Sequence, residues 1–76
     1  MELNDFIAKF AEQFEETELN QIKADTVFKE LEEWSSLTAL SVIGMVDEEY
    51  DIRIKGEDIR NSVTVEELYN AVKSKV

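Results

Sequence analysis

Three stretches of the chain place apolar residues at relative positions 0, 3, 4, 7 and 11, a spacing that gathers five side chains on one face of a helix. They are Leu3, Phe6, Ile7, Phe10 and Phe14; then Ala39, Val42, Ile43, Val46 and Tyr50; then Val65, Leu68, Tyr69, Val72 and Val76. The intervals between the stretches differ and only the period is shared. The chain therefore contains three amphipathic helices of roughly 12 to 14 residues rather than sequence repeats.

The connections carry weaker signals. Ile52 and Ile54 alternate with Arg53 and Lys55 as in a strand, but no second run suits them for pairing, so an ordered extended loop is expected. Gly56 is the residue there that takes a positive φ without cost. Glu57 to Asn61 has room for a short helix with Ile59 inward. Thr64-Val65-Glu66-Glu67 reads as a capping box, with the threonine oxygen accepting from the third helical amide and Glu67 reaching back to the cap's own amide. Lys73 and Lys75 complement the dipole at the far end of that last helix. Glu15 to Ser35 is long for a connection without structure. Leu19, Ile22, Val27, Phe28 and Leu31 would anchor it across the core, with a helical turn after Asp25. The expected fold is a single all-α domain over residues 1–76, a four-helix bundle with three longer helices, one short helix and a long first loop.

Composition narrows the function. A chain of 76 residues buries only about 60 to 65% of its unfolded surface, enough for one thin core and not for a deep active site. It has no cysteine and no histidine, so the usual nucleophile and general base are both missing and an independent enzyme is not expected. The formal net charge of −10, from 18 acidic and 8 basic residues, repels nucleic acid and anionic lipid and attracts basic protein surfaces. No apolar run approaches the roughly 20 residues of a membrane span, and Met1-Glu2-Leu3-Asn4-Asp5 is acidic where a signal peptide would be basic. A cytoplasmic monomer with protein partners is the expectation.

The chemistry-bearing candidates lie in "EWSSL", Glu33 to Leu37, where two serines follow an exposed-looking Trp34 and open the second helix. Ser36 is a good N-cap residue type, with Ser35 just before the cap. On the side of this helix opposite its core stripe fall Leu37, Ser41, Gly44 and Glu48, flanked by Leu40 and Met45, and then the acids Asp47, Glu48 and Glu49. Such an apolar and then acidic strip suits transient docking, and equally describes a solvated face with scattered leucines. A helix amino terminus also stabilises an attached phosphate. A phosphodiester on a serine there would leave the core undisturbed. Calcium binding at Asp51 to Ser62 is not expected, because Arg53 and Lys55 stand where oxygen ligands belong. Glu15-Glu16 and Glu32-Glu33 read as solvated charge.

From Ser36 onward, "SLTALSVIGMVDEEYDIRIKGEDIRNSVTVEELYNAV" resembles the acyl carrier proteins, with Ser-Leu at the start of helix two, an acidic "DEEYD" stretch and "TV" before the last helix. The likeness covers about half of the chain, and "ADTVFKEL" resembles the family's loop before the serine. It implies that Ser36 bears 4'-phosphopantetheine, taken from coenzyme A by a phosphopantetheinyl transferase that supplies base and Mg²⁺. It also implies acyl-handling partner enzymes with basic docking surfaces that meet Leu37, Leu40, Gly44, Asp47, Glu48, Glu57 and Asp58. The cargo would be acyl thioesters of fatty-acid, polyketide or related specialised biosynthesis, and Leu37 and Leu40 would touch partners or rim an acyl cleft between helices two and three. The family usually reads Asp-Ser-Leu, whereas Ser35 stands here at the aspartate position, and Thr38 and Ser41 replace frequent acids. An unmodified acidic interaction module and an aminoacyl or peptidyl carrier are the alternatives.

Overall fold

The computed structural model describes residues 2–75, so the Val76 end of the third stripe lies outside the described residues. Four α-helices form among the described residues: α1 Leu3–Ala11, α2 Ser36–Tyr50, α3 Gly56–Arg60 and α4 Val65–Lys73. No strand is formed among the described residues; the only extended pairing is a single antiparallel bridge, Val27 to Thr64. Helix α1 packs on α4 and α2, and α3 packs on α2 and α4. No described helix is long and apolar enough to cross a membrane.

The stripes become the core. Phe6, Phe10, Phe28, Val42, Val46, Val65, Leu68 and Val72 are fully buried. Helix α1 is shorter than its apolar stripe, because after Ala11 the chain tightens into i to i+3 bonds, Gln13 N–H to Phe10 O and Phe14 N–H to Ala11 O. That tighter turn still delivers Phe14 to the core. Met45, expected beside the outer face of α2, is buried as well: the side of α2 that meets α1 is covered further round than the periodicity alone indicates. Ile54 is buried and Ile52 packs against the core from an extended loop, as the alternation suggested.

Two turn assignments differ from expectation. Gly56 takes no positive φ and is the first residue of α3. The left-handed residue is Asp51, at φ 55° and ψ 39°, which ends α2 with its N–H on Asp47 O. Aspartate is among the few residues besides glycine that adopt this conformation at modest cost. Glu67 accepts from the Val63 amide at 2.8 Å and not from the cap's own amide, while Thr64 Oγ1 accepts from Glu67 N–H at 3.2 Å as expected.

The long first loop is held by tertiary hydrogen bonds that local sequence does not announce. Its carbonyls at Thr26 and Ala24 accept from Val65 N–H at 3.1 Å and Glu66 N–H at 2.9 Å, satisfying amides that the first turn of α4 leaves open. Two 3₁₀ turns, Leu19–Gln21 and Phe28–Glu30, shape it. Ile22 and Phe28 are buried anchors, whereas Leu19 is 56% exposed.

Glu33 is a brace rather than solvated charge. Its carboxylate accepts from the amides of Glu15 at 3.0 Å and Glu16 at 2.9 Å, and from both the amide and the hydroxyl of Thr17. The Thr17 hydroxyl, followed by these amides, holds its carboxyl below the usual carboxylate range despite partial desolvation. A lowered folded pKa gives stability that is present above the unfolded value of about 4.3 and lost as pH falls through the folded one. Glu33→Gln, which offers one acceptor oxygen where Glu33 uses two, is expected to lower the thermal midpoint near neutral pH and to speed hydrogen exchange at residues 15–17. The gap between variant and wild type should close as pH falls through the lowered folded-state pKa; a gap unchanged by pH would contradict the brace.

Candidate functional site

The site begins at the junction of the braced loop with α2. Ser35, in an extended conformation, is the N-cap of α2: its Oγ accepts from Thr38 N–H at 3.3 Å. Thr38 Oγ1 lies 3.2 Å from Ser35 Oγ and donates to Glu33 O at 2.8 Å, tying the cap to the loop. The capping role expected of Ser36 therefore belongs to Ser35. Ser36 is the first helical residue, exposed, and its hydroxyl makes no hydrogen bond among the described residues. It stands at the positive end of a 15-residue helix with no acid in its first turn.

Trp34, directly before the cap, is half-buried rather than exposed. Its ring lies 4.9 Å from Phe28 edge-on and 6.4 Å from Phe10 in a stacked arrangement, and it also meets Phe14. The serine pair thus directly follows a residue anchored in the aromatic core, and both serines are exposed.

Beside Ser36 runs a groove of about 560 Å³ between α2 and α3. Trp34, Ala39, Leu40, Ile43 and Ile59 give it apolar walls, and Ser35 and Ser36 stand at its edge; Lys29 and Arg60 also line it. Lys29 reaches across from the loop, donating from Nζ to Arg60 O at 2.9 Å. Leu40 lines this groove, as a cleft rim should, while Leu37 does not and projects outward at 76% exposure.

The other expected contact residues divide. Leu40 (63% exposed), Gly44, Asp47 and Glu48 share the exposed side of α2 with Leu37, and Glu57 is exposed on α3. Asp58 is half-buried and occupied, its carboxylate accepting from Lys55 N–H at 2.8 Å and pairing with Lys75 at 3.5 Å. It ties α3 to the segment that follows α4. Lys75 acts through that ion pair and not on the helix dipole, whereas Lys73 sits in the last turn of α4 as expected. A further cluster at the far end of α2 is structural. Tyr50 Oη donates to Asp5 at 2.9 Å, and Lys9 pairs with Asp5 at 3.0 Å. Lys9 first, then Tyr50, lowers the Asp5 pKa; burial first, then Asp5, raises that of Tyr50.

Gly44 sits in the middle of α2, and a Cβ there would meet nothing within 4 Å. Gly44→Ala is therefore expected to raise stability by about 0.5 to 1 kcal/mol in chemical denaturation. If this glycine admits a partner's backbone closely, the same substitution should weaken docking while the stability rises.

Sequence reasoning did not single out Lys29, Ile59 or Arg60 as site residues. Lys29 and Arg60 are 31 positions apart, and only the packing of α3 against the loop joins them. Compared with family models, curated proteins and solved structures, the chain shows no significant match.

Proposed function

We propose that this protein is an acyl carrier whose Ser36 bears 4'-phosphopantetheine. The observation that carries the reading is the division of labour between the adjacent serines. Ser35 is committed to the helix cap, while Ser36 presents an uncommitted, exposed hydroxyl at a helix amino terminus, beside an apolar groove. The usual aspartate of the resembling family and Ser35 are both good N-caps, so the substitution keeps the cap and drops the charge.

In modification, Ser36 Oγ would attack the pantetheine-side phosphorus of coenzyme A. The Oγ–P bond forms, the P–O bond to the adenosine 3',5'-bisphosphate half breaks, and the hydroxyl proton passes to a base on the transferase. The positive end of α2 favours the phosphodiester charge that results. The arm supplies a terminal thiol that carries acyl groups as thioesters, which suits a chain with no cysteine of its own. The exposed Leu37, Gly44, Asp47, Glu48 and Glu57 are the residues this reading assigns to partner enzymes with basic docking surfaces.

The test is the intact mass of the protein after incubation with coenzyme A, Mg²⁺ and a panel of phosphopantetheinyl transferases. Addition of one arm supports the carrier; no addition with any transferase would leave the acidic interaction module as the better reading. The docking side is tested separately. Glu48→Lys should weaken partner binding more at low salt than at high salt, because exposed charges interact through a screened field. An effect independent of salt would remove electrostatic docking at this position.

A further inference from the structure

Three grooves among the described residues differ sharply in charge. Two of them are acidic: one is lined by Glu16, Glu30, Glu32 and Glu33, the other by Glu12, Asp47, Glu48 and Glu49, and neither has a cation in its lining. The groove beside Ser36 is the reverse. Its lining includes Lys29 and Arg60 and no carboxylate, in a chain where acids outnumber bases by 18 to 8. Lys9 pairs with Asp5 and Glu49 and Lys75 with Asp58, while Lys23, Arg53, Lys55 and Lys73 form no ion pair among the described residues and do not line this groove. Lys29 instead donates to a backbone carbonyl and lies 5.8 Å above the Phe28 ring, and Arg60 forms no ion pair among the described residues.

We infer that this groove takes an acyl chain ending in a carboxylate, the chain lying along Trp34, Ile43 and Ile59 and the carboxylate meeting Lys29 and Arg60. The inference rests on the carrier reading and names its cargo class. A purely aliphatic chain needs only the apolar walls and leaves two cations without an anion. An aminoacyl chain would bring an ammonium against them. A carboxylate gains charge-assisted hydrogen bonds from the guanidinium fork and from the donors Lys29 retains. Since Ser36 stands at the groove's edge, an arm attached there delivers its cargo beside this lining.

The experiment compares two arms of equal length, loaded by a transferase from adipoyl-coenzyme A and hexanoyl-coenzyme A, which differ in a terminal carboxylate. Intact mass after loading reports the carrier reading by itself; if no arm attaches, that reading falls and takes this inference with it. With arms attached, the rate of thioester cleavage by hydroxylamine and the NMR shifts of the groove residues report the inference. The adipoyl thioester is expected to be cleaved about three- to tenfold more slowly than the hexanoyl one, the range of one or two partly screened charged hydrogen bonds. The difference between the two chains should shrink with salt and vanish in Lys29→Gln/Arg60→Gln. Equal rates for both chains in the wild type, or a difference that survives in the double variant, would overturn it. So would shifts at Lys29 and Arg60 that are already complete with the unacylated arm, because the cations would then be holding its phosphate.

Discussion

Ser36→Ala will accept no phosphopantetheine and will unfold as the wild type does, whereas Ser35→Ala will accept the arm and lose about 1 kcal/mol of stability. The contrast follows from hydrogen bonding at the start of α2. Ser35 Oγ accepts from Thr38 N–H, and removing a serine cap costs about 0.5 to 2 kcal/mol. Ser36 Oγ has no such bond among the described residues, and alanine is a good helix former at the first helical position. Mass spectrometry and chemical denaturation on the same two variants separate the roles. Modification lost in Ser35→Ala and kept in Ser36→Ala would shift the site by one residue, and a destabilised Ser36→Ala would contradict the cap assignment.

The second large effect is expected at Phe10. It is fully buried, and its ring meets Phe6 at 6.3 Å, Phe14 at 5.4 Å, Phe28 at 5.6 Å and Trp34 at 6.4 Å. It is therefore the point where α1, the long loop and the base of the serine site join. Phe10→Ala should cost about 3 to 5 kcal/mol. A domain of this size has a total stability of roughly 4 to 11 kcal/mol at 0.05 to 0.15 kcal/mol per residue, so the variant should be substantially unfolded or easily melted. Phe10→Leu keeps most of the volume and should fold, with a changed Trp34 fluorescence and slower modification of an intact Ser36. A loss below about 1 kcal/mol in Phe10→Ala would mean that the aromatic cluster is not the centre of the core.

The three apolar stripes were legible because burial on one helical face leaves a period, and Phe6, Phe10, Val42, Val46, Leu68 and Val72 all fell where that period put them. The short α3 was legible through Ile59. Features set by distant partners were not. Glu33 beside Glu32 looks like any acidic pair, and only the fold brings the amides of residues 15–17 to its carboxylate. The reversal after α2 fell to Asp51 and not Gly56, because α2 runs on to Tyr50 and the left-handed residue must come directly after it. Of the two serines, either type can cap; the choice was made by Thr38, whose amide and hydroxyl hold Ser35 and the Glu33 carbonyl together. The groove's apolar wall on α2 could be traced to Leu40, but its cations could not, since Lys29 and Arg60 meet only through tertiary packing.

On the carrier reading, Ser36 bears a single phosphopantetheine arm. Tandem mass spectrometry of the peptide spanning residues 30–53, after reaction with coenzyme A, Mg²⁺ and a transferase, tests it most directly. A single arm is expected, with fragment ions that place it on Ser36 and leave Ser35 unmodified. An arm on Ser35, or a peptide that stays unmodified with every transferase offered, would contradict it.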